Sequence, residues 1–214
     1  MVFLNILTNK IKKLNIREEN GFTLIELLVV ILIMAILLAI AIPIFLGARV
    51  SAQDRQAQSN INSALTAAKT VYTNNESYNP NSGSLLTALQ DYEPAVSYTS
   101  GSSTTPNTIS FATDATGQSI MLTAQSTSSN CWVLLTIETV NDAAGAPYNV
   151  SNNGLNGTSA TYPGVTGPGT YYAVIPDATA SSTPCQAGGA VATEIFPQQW
   201  YTTGFPSSPS TGAP

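Results

Sequence analysis

One carboxylate stands inside an apolar run. Glu26 lies in residues 22–46, a stretch otherwise interrupted only by Thr23 and Pro43. An acid at membrane depth is costly by itself and asks for a partner. No basic residue lies elsewhere in the run. The nearest cation the chain can supply is a new α-amino group at Phe22, created if the chain is cut after Gly21. Positions 22 and 26 share one helix face, one turn apart. Between two axially staggered copies, the amine of one meets Glu26 of the other instead. Either pairing offsets the burial of the acid, and the second also sets a register. The residues thus predict a self-assembling bundle of apolar helices with a polar registration point.

Other residue types carry less chemistry. The chain has no His, which removes the commonest general base and metal ligand. Ser is abundant, but no nucleophile–base arrangement is visible. No catalytic residue, metal ligand or cofactor is therefore expected. Asp142, Asn149, Asn152 and Asn153 offer oxygens to Ca²⁺, yet without the spacing of an EF-hand loop. Glycosylation sequons begin at Asn75, Asn149 and Asn156, and such triplets arise readily by chance in an Asn/Ser/Thr-rich chain. Tyr171, Tyr172, Trp200 and Tyr201 are candidates for an adhesive patch, with a core or groove-filling role favoured. Cys131 and Cys185 point to a disulfide in an oxidising compartment, the alternative being two separate buried thiols.

Charge is sparse and segregated. Asp, Glu, Lys and Arg make up 9% of the 214 residues, far below the usual share of about 25%. All seven basic residues lie at or before Lys69: Lys10, Lys12, Lys13 and Arg17, then Arg49, Arg55 and Lys69 itself. From residue 70 onward there are eight acids and no base. Such a surface lacks the cations that displace counterions from phosphates, so direct nucleic-acid binding by this part is not expected.

These residues need elements to position them. Twenty-five helical residues at 22–46 extend about 37 Å, enough to cross a hydrocarbon core of about 30 Å. The four basic residues ahead of the run place the N-terminus in the cytoplasm by the positive-inside rule. An ordinary secretory signal fits poorly, because its apolar core is shorter and ends at a small-residue cleavage site. Beyond the run, Ile61, Ala64, Leu65, Ala68, Val71 and Tyr72 form one apolar stripe at helical spacing. Asn74, Asn75, Pro80, Asn81 and Gly83 should end that helix. Strands are expected at 108–113 and 119–124 (a hairpin), 131–139, 171–175 and 191–196, with a long loop at 143–169. The expected class is α+β: a long N-terminal helix, apolar then amphipathic, packed on a C-terminal antiparallel sheet. The expected division is 1–21 leader, 22–46 membrane or filament-core helix, 47–75 amphipathic helix, 76–201 β-rich head and 202–214 flexible tail.

The string Gly-Phe-Thr-Leu-Ile-Glu-Leu-Leu at 21–28, heading a long apolar run after a basic leader, resembles the N-terminus of type IV prepilins and their pseudopilin relatives. The resemblance is sharp over residues 17–75 and loose beyond. It implies a pilin-like fold and cleavage between Gly21 and Phe22 by a membrane-embedded prepilin peptidase. It also implies N-methylation of Phe22, and a role for Glu26 in subunit recognition and register. Pro43 falls where pilin helices bend in filaments, with Gly47 adding looseness. The implied partners are other copies of the chain in a helical filament, the peptidase, the pilus assembly machinery of the inner membrane, and the membrane before assembly. The resulting cell-surface filament would serve adhesion, motility, DNA uptake or surface attachment. Rival readings are a pseudopilin of a type II secretion system, a minor pilin, and a single-span binding protein that never polymerises.

Overall fold

The computed structural model describes residues 21–80, 84–114, 116–139, 165, 167–176, 185–187 and 200–206. The chain divides into two compact units, Met1–Leu46 and Gly47–Pro214. Helix α1 is assigned over Leu24–Asn75, without interruption at Pro43 or Gly47. In the first unit its residues are Leu, Ile, Val and Ala almost throughout, and every one from 24 to 46 is exposed. The helix is long and apolar enough to cross a membrane, with a mean hydropathy of 3.3 in its apolar window. A helix suits that task because it satisfies its own backbone N–H and C=O groups where water is absent.

In the second unit the same helix changes character. Asp54, Ala57, Gln58, Ile61, Ala64, Ala67, Ala68 and Val71 are buried. They include the stripe expected from the spacing, joined by half-buried Leu65 and Tyr72. The prevalence of Ala lets the helix axis approach its neighbour closely. The helix stops where Glu76 turns to a left-handed φ of 54° and its N–H bonds to Tyr72 O at 2.6 Å.

A five-stranded sheet follows, in the order β1 (Ser97–Thr99), β2 (Thr108–Thr113), β3 (Ser119–Gln125), β4 (Cys131–Ile137), β5 (Gly169–Ile175). The hairpin and the two later strands lie where periodicity places them, with β4 ending two residues before the expected 139. β2 to β5 pair antiparallel as expected, whereas the edge strand β1 runs parallel to β2, so the sheet is mixed. A short helix, α2 (Leu85–Tyr92), leads into β1 and seats Leu85 and Leu89 in the core. Neither α2 nor β1 is anticipated by the sequence pattern. The expected strand at 191–196, most of the loop at 143–169 and residues 207–214 lie outside the described residues.

Both faces of the sheet are covered. Ile109, Ile120, Leu122, Ala124, Trp132, Leu134 and Val174 meet α1 and α2 in one apolar cluster. The alternate positions, Ala112, Met121, Cys131, Val133, Leu135, Ile137, Tyr171, Ala173 and Ile175, form a second cluster with Val165, Cys185 and Ala187. The ladder puts like with like: Leu122 opposes Leu134, Met121 opposes Leu135, and Leu135 opposes Tyr171. This explains why β4 reads as an unbroken apolar run. A strand with a core on each side has no solvent face to mark with polar residues.

Candidate functional site

Gly21 and Phe22 stand ahead of the first helical residue, both exposed. Thr23 and Glu26 then close a reciprocal cap. Thr23 N–H and Thr23 Oγ1 donate to Glu26 Oε2 at 2.9 and 2.8 Å, and Glu26 N–H donates to Thr23 Oγ1 at 3.3 Å. This is a capping box, Thr-x-x-Glu, which satisfies backbone donors that a helix start leaves open. The acid also sits at the positive end of the helix dipole. The motif is legible in the sequence as a local spacing, but the apolar context draws attention to the charge and away from the cap. Both acceptor bonds end on Oε2; among the described residues none ends on Oε1. The arrangement holds Glu26 in a fixed rotamer at the head of an uncovered apolar helix, with one oxygen left for another donor.

The head holds a second carboxylate in a different setting. Asp54 is buried at the sheet-facing side of α1. Ser128 Oγ donates to its Oδ1 at 2.5 Å and Trp132 Nε1 at 3.2 Å, while Asn130 Nδ2 lies 3.3 and 3.2 Å from its two oxygens. Three neutral donors from the β3–β4 turn and β4 thus hold one acid of α1. Periodicity does not reveal this site, because its partners lie 74 to 78 residues away.

The cysteines are paired: Cys131 on β4 joins Cys185, with Cα atoms 5.5 Å apart. The Cys185 segment is further anchored by backbone and hydroxyl groups. Ser103 N–H donates to Cys185 O at 2.7 Å, and Ala187 N–H to Ser110 Oγ at 2.9 Å. Polar Ser110 and Thr123 are buried on this largely apolar sheet face, where they dock the Cys185 segment. At the β5 edge, Tyr172 and Tyr201 exchange two backbone bonds of 2.8 Å each. Tyr171 packs edge-on against Trp200, and Phe205 packs against both Trp132 and Tyr172. Of the aromatic set considered for adhesion, Tyr171, Tyr172 and Trp200 are engaged in ring packing, and Tyr201 in the backbone bridge.

Two further clusters fix the end of α1. Tyr78 donates to Glu138 at 2.5 Å, and Lys69 Nζ lies 3.5 Å from the same carboxylate oxygen. Burial pushes the Tyr78 hydroxyl well above the usual phenol range, and the bond to Glu138 pushes it further. The β2–β3 turn meets the loop after α1: Tyr78 N–H donates to Gly117 O at 2.7 Å, and Asn79 Nδ2 to Asp114 O at 3.1 Å. Gly117 has φ +70°, and a Cβ there would lie 2.0 Å from Ser77 Oγ. Of the sequon residues, Asn75 ends α1 and its amide donates to Val71 O at 2.9 Å. Asn156 and the calcium candidates Asp142, Asn149, Asn152 and Asn153 lie outside the described residues.

Comparison with known proteins bears on the N-terminal site. Residues 16–42 match the prokaryotic N-terminal methylation motif. Over 79 residues, 37% of this chain, the sequence is 38% identical to the type IV wide pilus major component PilA4 of Thermus thermophilus. The match spans 60% of that relative's length. No solved structure matches the chain.

Proposed function

We propose that this chain, a type IV pilin by its N-terminal motif and its pilin-like α+β layout, is the main building subunit of an extracellular type IV pilus. The pilin family is one of structural subunits, not enzymes. The observation that carries the reading is the coincidence of the methylation motif with an apolar helix whose surface is exposed throughout residues 24–46. Such a surface is stable in lipid or against other helices, and not in water. The relative's role as a major pilus component favours a main subunit over a pseudopilin or a minor pilin.

In this reading the precursor is anchored by residues 22–46 with its leader in the cytoplasm. A prepilin peptidase removes residues 1–21 and methylates the new amine of Phe22. The pilus assembly machinery then draws the helix from the bilayer into a filament core, and lipid contacts are exchanged for helix contacts. Removal of the leader discards four basic residues that favour the cytoplasmic face, and it creates a cation beside Glu26. The capping box keeps its bonds to Oε2, and the amine of a neighbouring copy reaches Oε1. An acid that has already lost part of its hydration to a cap is less costly to carry into the filament core. Pro43 and Gly47 supply the place where the helix bends as subunits pack.

Electron microscopy of sheared surface material, with the subunit identified by peptide mass, tests the reading. Filaments built mainly from this chain are expected. A chain that stays in the membrane fraction of cells that make no such filament would overturn it.

A further inference from the structure

Among the described residues the sheet has two outer strands, β1 and β5. An outer strand presents backbone donors and acceptors that another strand can take. β1 is closed by local means. It is three residues long. Gln90 Nε2 donates to Val96 O just before it, and Gln186 Nε2 to Ser100 O just after it, each at 3.0 Å. β5 has neither protection. Its seven residues, Gly-Thr-Tyr-Tyr-Ala-Val-Ile, hold no charge and no Pro. A run of β-formers without charge or Pro is the composition that pairs edge to edge when left open.

Residues 200–206 close this edge instead. Tyr201 exchanges its N–H and C=O with those of Tyr172 in an isolated antiparallel bridge. The flanking aromatic rings fall on opposite faces of the sheet. Trp200 packs on the cluster that holds the disulfide, edge-on to Tyr171 with ring centroids 6.4 Å apart. Phe205 packs on the cluster that faces α1, 4.8 Å from the Tyr172 ring and 5.6 Å from that of Trp132. Gly204 turns the chain between Tyr201 and Phe205 with a φ of +138°. The segment thus straddles β5 and joins the two cores around its edge. Its hold is slight beside that of the sheet. Two backbone bonds and three half-buried aromatic residues retain it, whereas β5 pairs with β4 along all seven of its residues. The weaker contact opens first.

We infer that residues 200–206 are a clasp, and that the edge it covers otherwise pairs with β5 of a second copy. The strand itself sets that partner. Two β5 strands laid side by side offer each other Tyr, Val and Ile on their faces and no like charges to hold them apart. The contact would lie wholly in the head and use no part of α1, so the inference does not rest on the filament reading. Wherever heads are crowded together, an open β5 edge would cross-link them in an unproductive arrangement, and the clasp specifies against it.

Light scattering on the full chain in detergent micelles tests this, with the apolar helix common to every variant. Trp200→Ala/Phe205→Ala removes both ring anchors and keeps the bridge. Each lost aromatic pair weakens the clasp roughly threefold or more, so the double variant should open about tenfold more often. Edge pairing needs both copies open, so the apparent dissociation constant for self-association should fall about a hundredfold. Adding Tyr172→Pro should bring it back to within about threefold of the unaltered chain. The N–H that this Pro deletes points to the clasp and not to β4. Unchanged association by a double variant that keeps its Cys131–Cys185 bond and its β-sheet circular dichroism would overturn the inference. So would tighter association that Tyr172→Pro leaves in place, the pattern of apolar faces clustering without strand pairing. Should the double variant lose its head fold, Gly204→Ala decides the matter. A Cβ at Gly204 meets no atom within 4 Å, so this change strains only the turn of the clasp. It should tighten association at least about threefold with the head still folded, and no change would overturn the inference.

Discussion

Glu26 and Asp54 are carboxylates on one helix, 28 residues apart, and the chain treats them in opposite ways. Asp54 is buried and its oxygens are taken by Ser128, Asn130 and Trp132. Glu26 is exposed, held by a single neighbouring residue through one oxygen, and surrounded by apolar side chains that none of the described residues covers. The first acid has its partners within the fold and so belongs to stability. The second is oriented by its cap, and in the proposed reading takes a further partner from another copy. The same contrast runs through the two halves of α1. Its later half buries a stripe of Ala, Ile and Val, while its first half buries none of its apolar residues.

Glu26→Ala should have the largest effect. Filament assembly should be lost, while leader removal and the unfolding midpoint of the head stay as they were. Normal filaments from this variant would remove the register role. Removing the staple acts in the opposite sense. Cys131→Ala/Cys185→Ala should destabilise the head by about 4 kcal/mol in the chain-entropy model, read by denaturant unfolding of the detergent-solubilised chain, and leave leader cleavage intact. Asp54→Ala removes the acceptor shared by Ser128, Asn130 and Trp132 and should cost about 1–3 kcal/mol, with Asp54→Asn costing less because one acceptor remains. If Asp54→Ala blocked assembly without changing stability, the division of labour between the two acids would fail. Gly117→Ala should cost about 1 kcal/mol or more, since its φ is left-handed and the new methyl meets Ser77.

The smallest effect is a matter of pH. The Tyr78 and Tyr98 hydroxyls are both raised by burial, so the folded head keeps their protons to higher pH than the unfolded chain does. Their contribution is complete below the unfolded value of about 10 and declines as pH rises above it. Stability should therefore fall above about pH 10, and Tyr78→Phe should flatten that fall. An equal slope in the variant would show that other groups control it.

The sequence carries these two regions unequally. Residues 22–46, the stripe ending at Tyr72 and the β2–β3 hairpin each repeat a local period, and each is legible without knowing the fold. α2 offers only Leu85, Ala88 and Leu89 as a signal over one short element. β1 has three residues, and its parallel pairing with β2 is a tertiary choice that no local spacing encodes. The role of Asp54 is hidden for the same reason, as an Asp amid Gln and Arg reads as a solvated helix face. The second buried face of the sheet was written into β4 as a run without alternation, but its cover comes from the distant Cys185 segment. The cap from Thr23 to Glu26 is legible as a Thr-x-x-Glu spacing, but the apolar context turns attention to the charge instead.

In the proposed reading, the apolar half of α1 is freed at Gly21/Phe22 and then finds its cover in other copies. Intact-mass and N-terminal peptide analysis of sheared surface filaments tests this most directly. A subunit that begins at an N-methylated Phe22 is expected. Filaments whose subunits still carry residues 1–21 would contradict it.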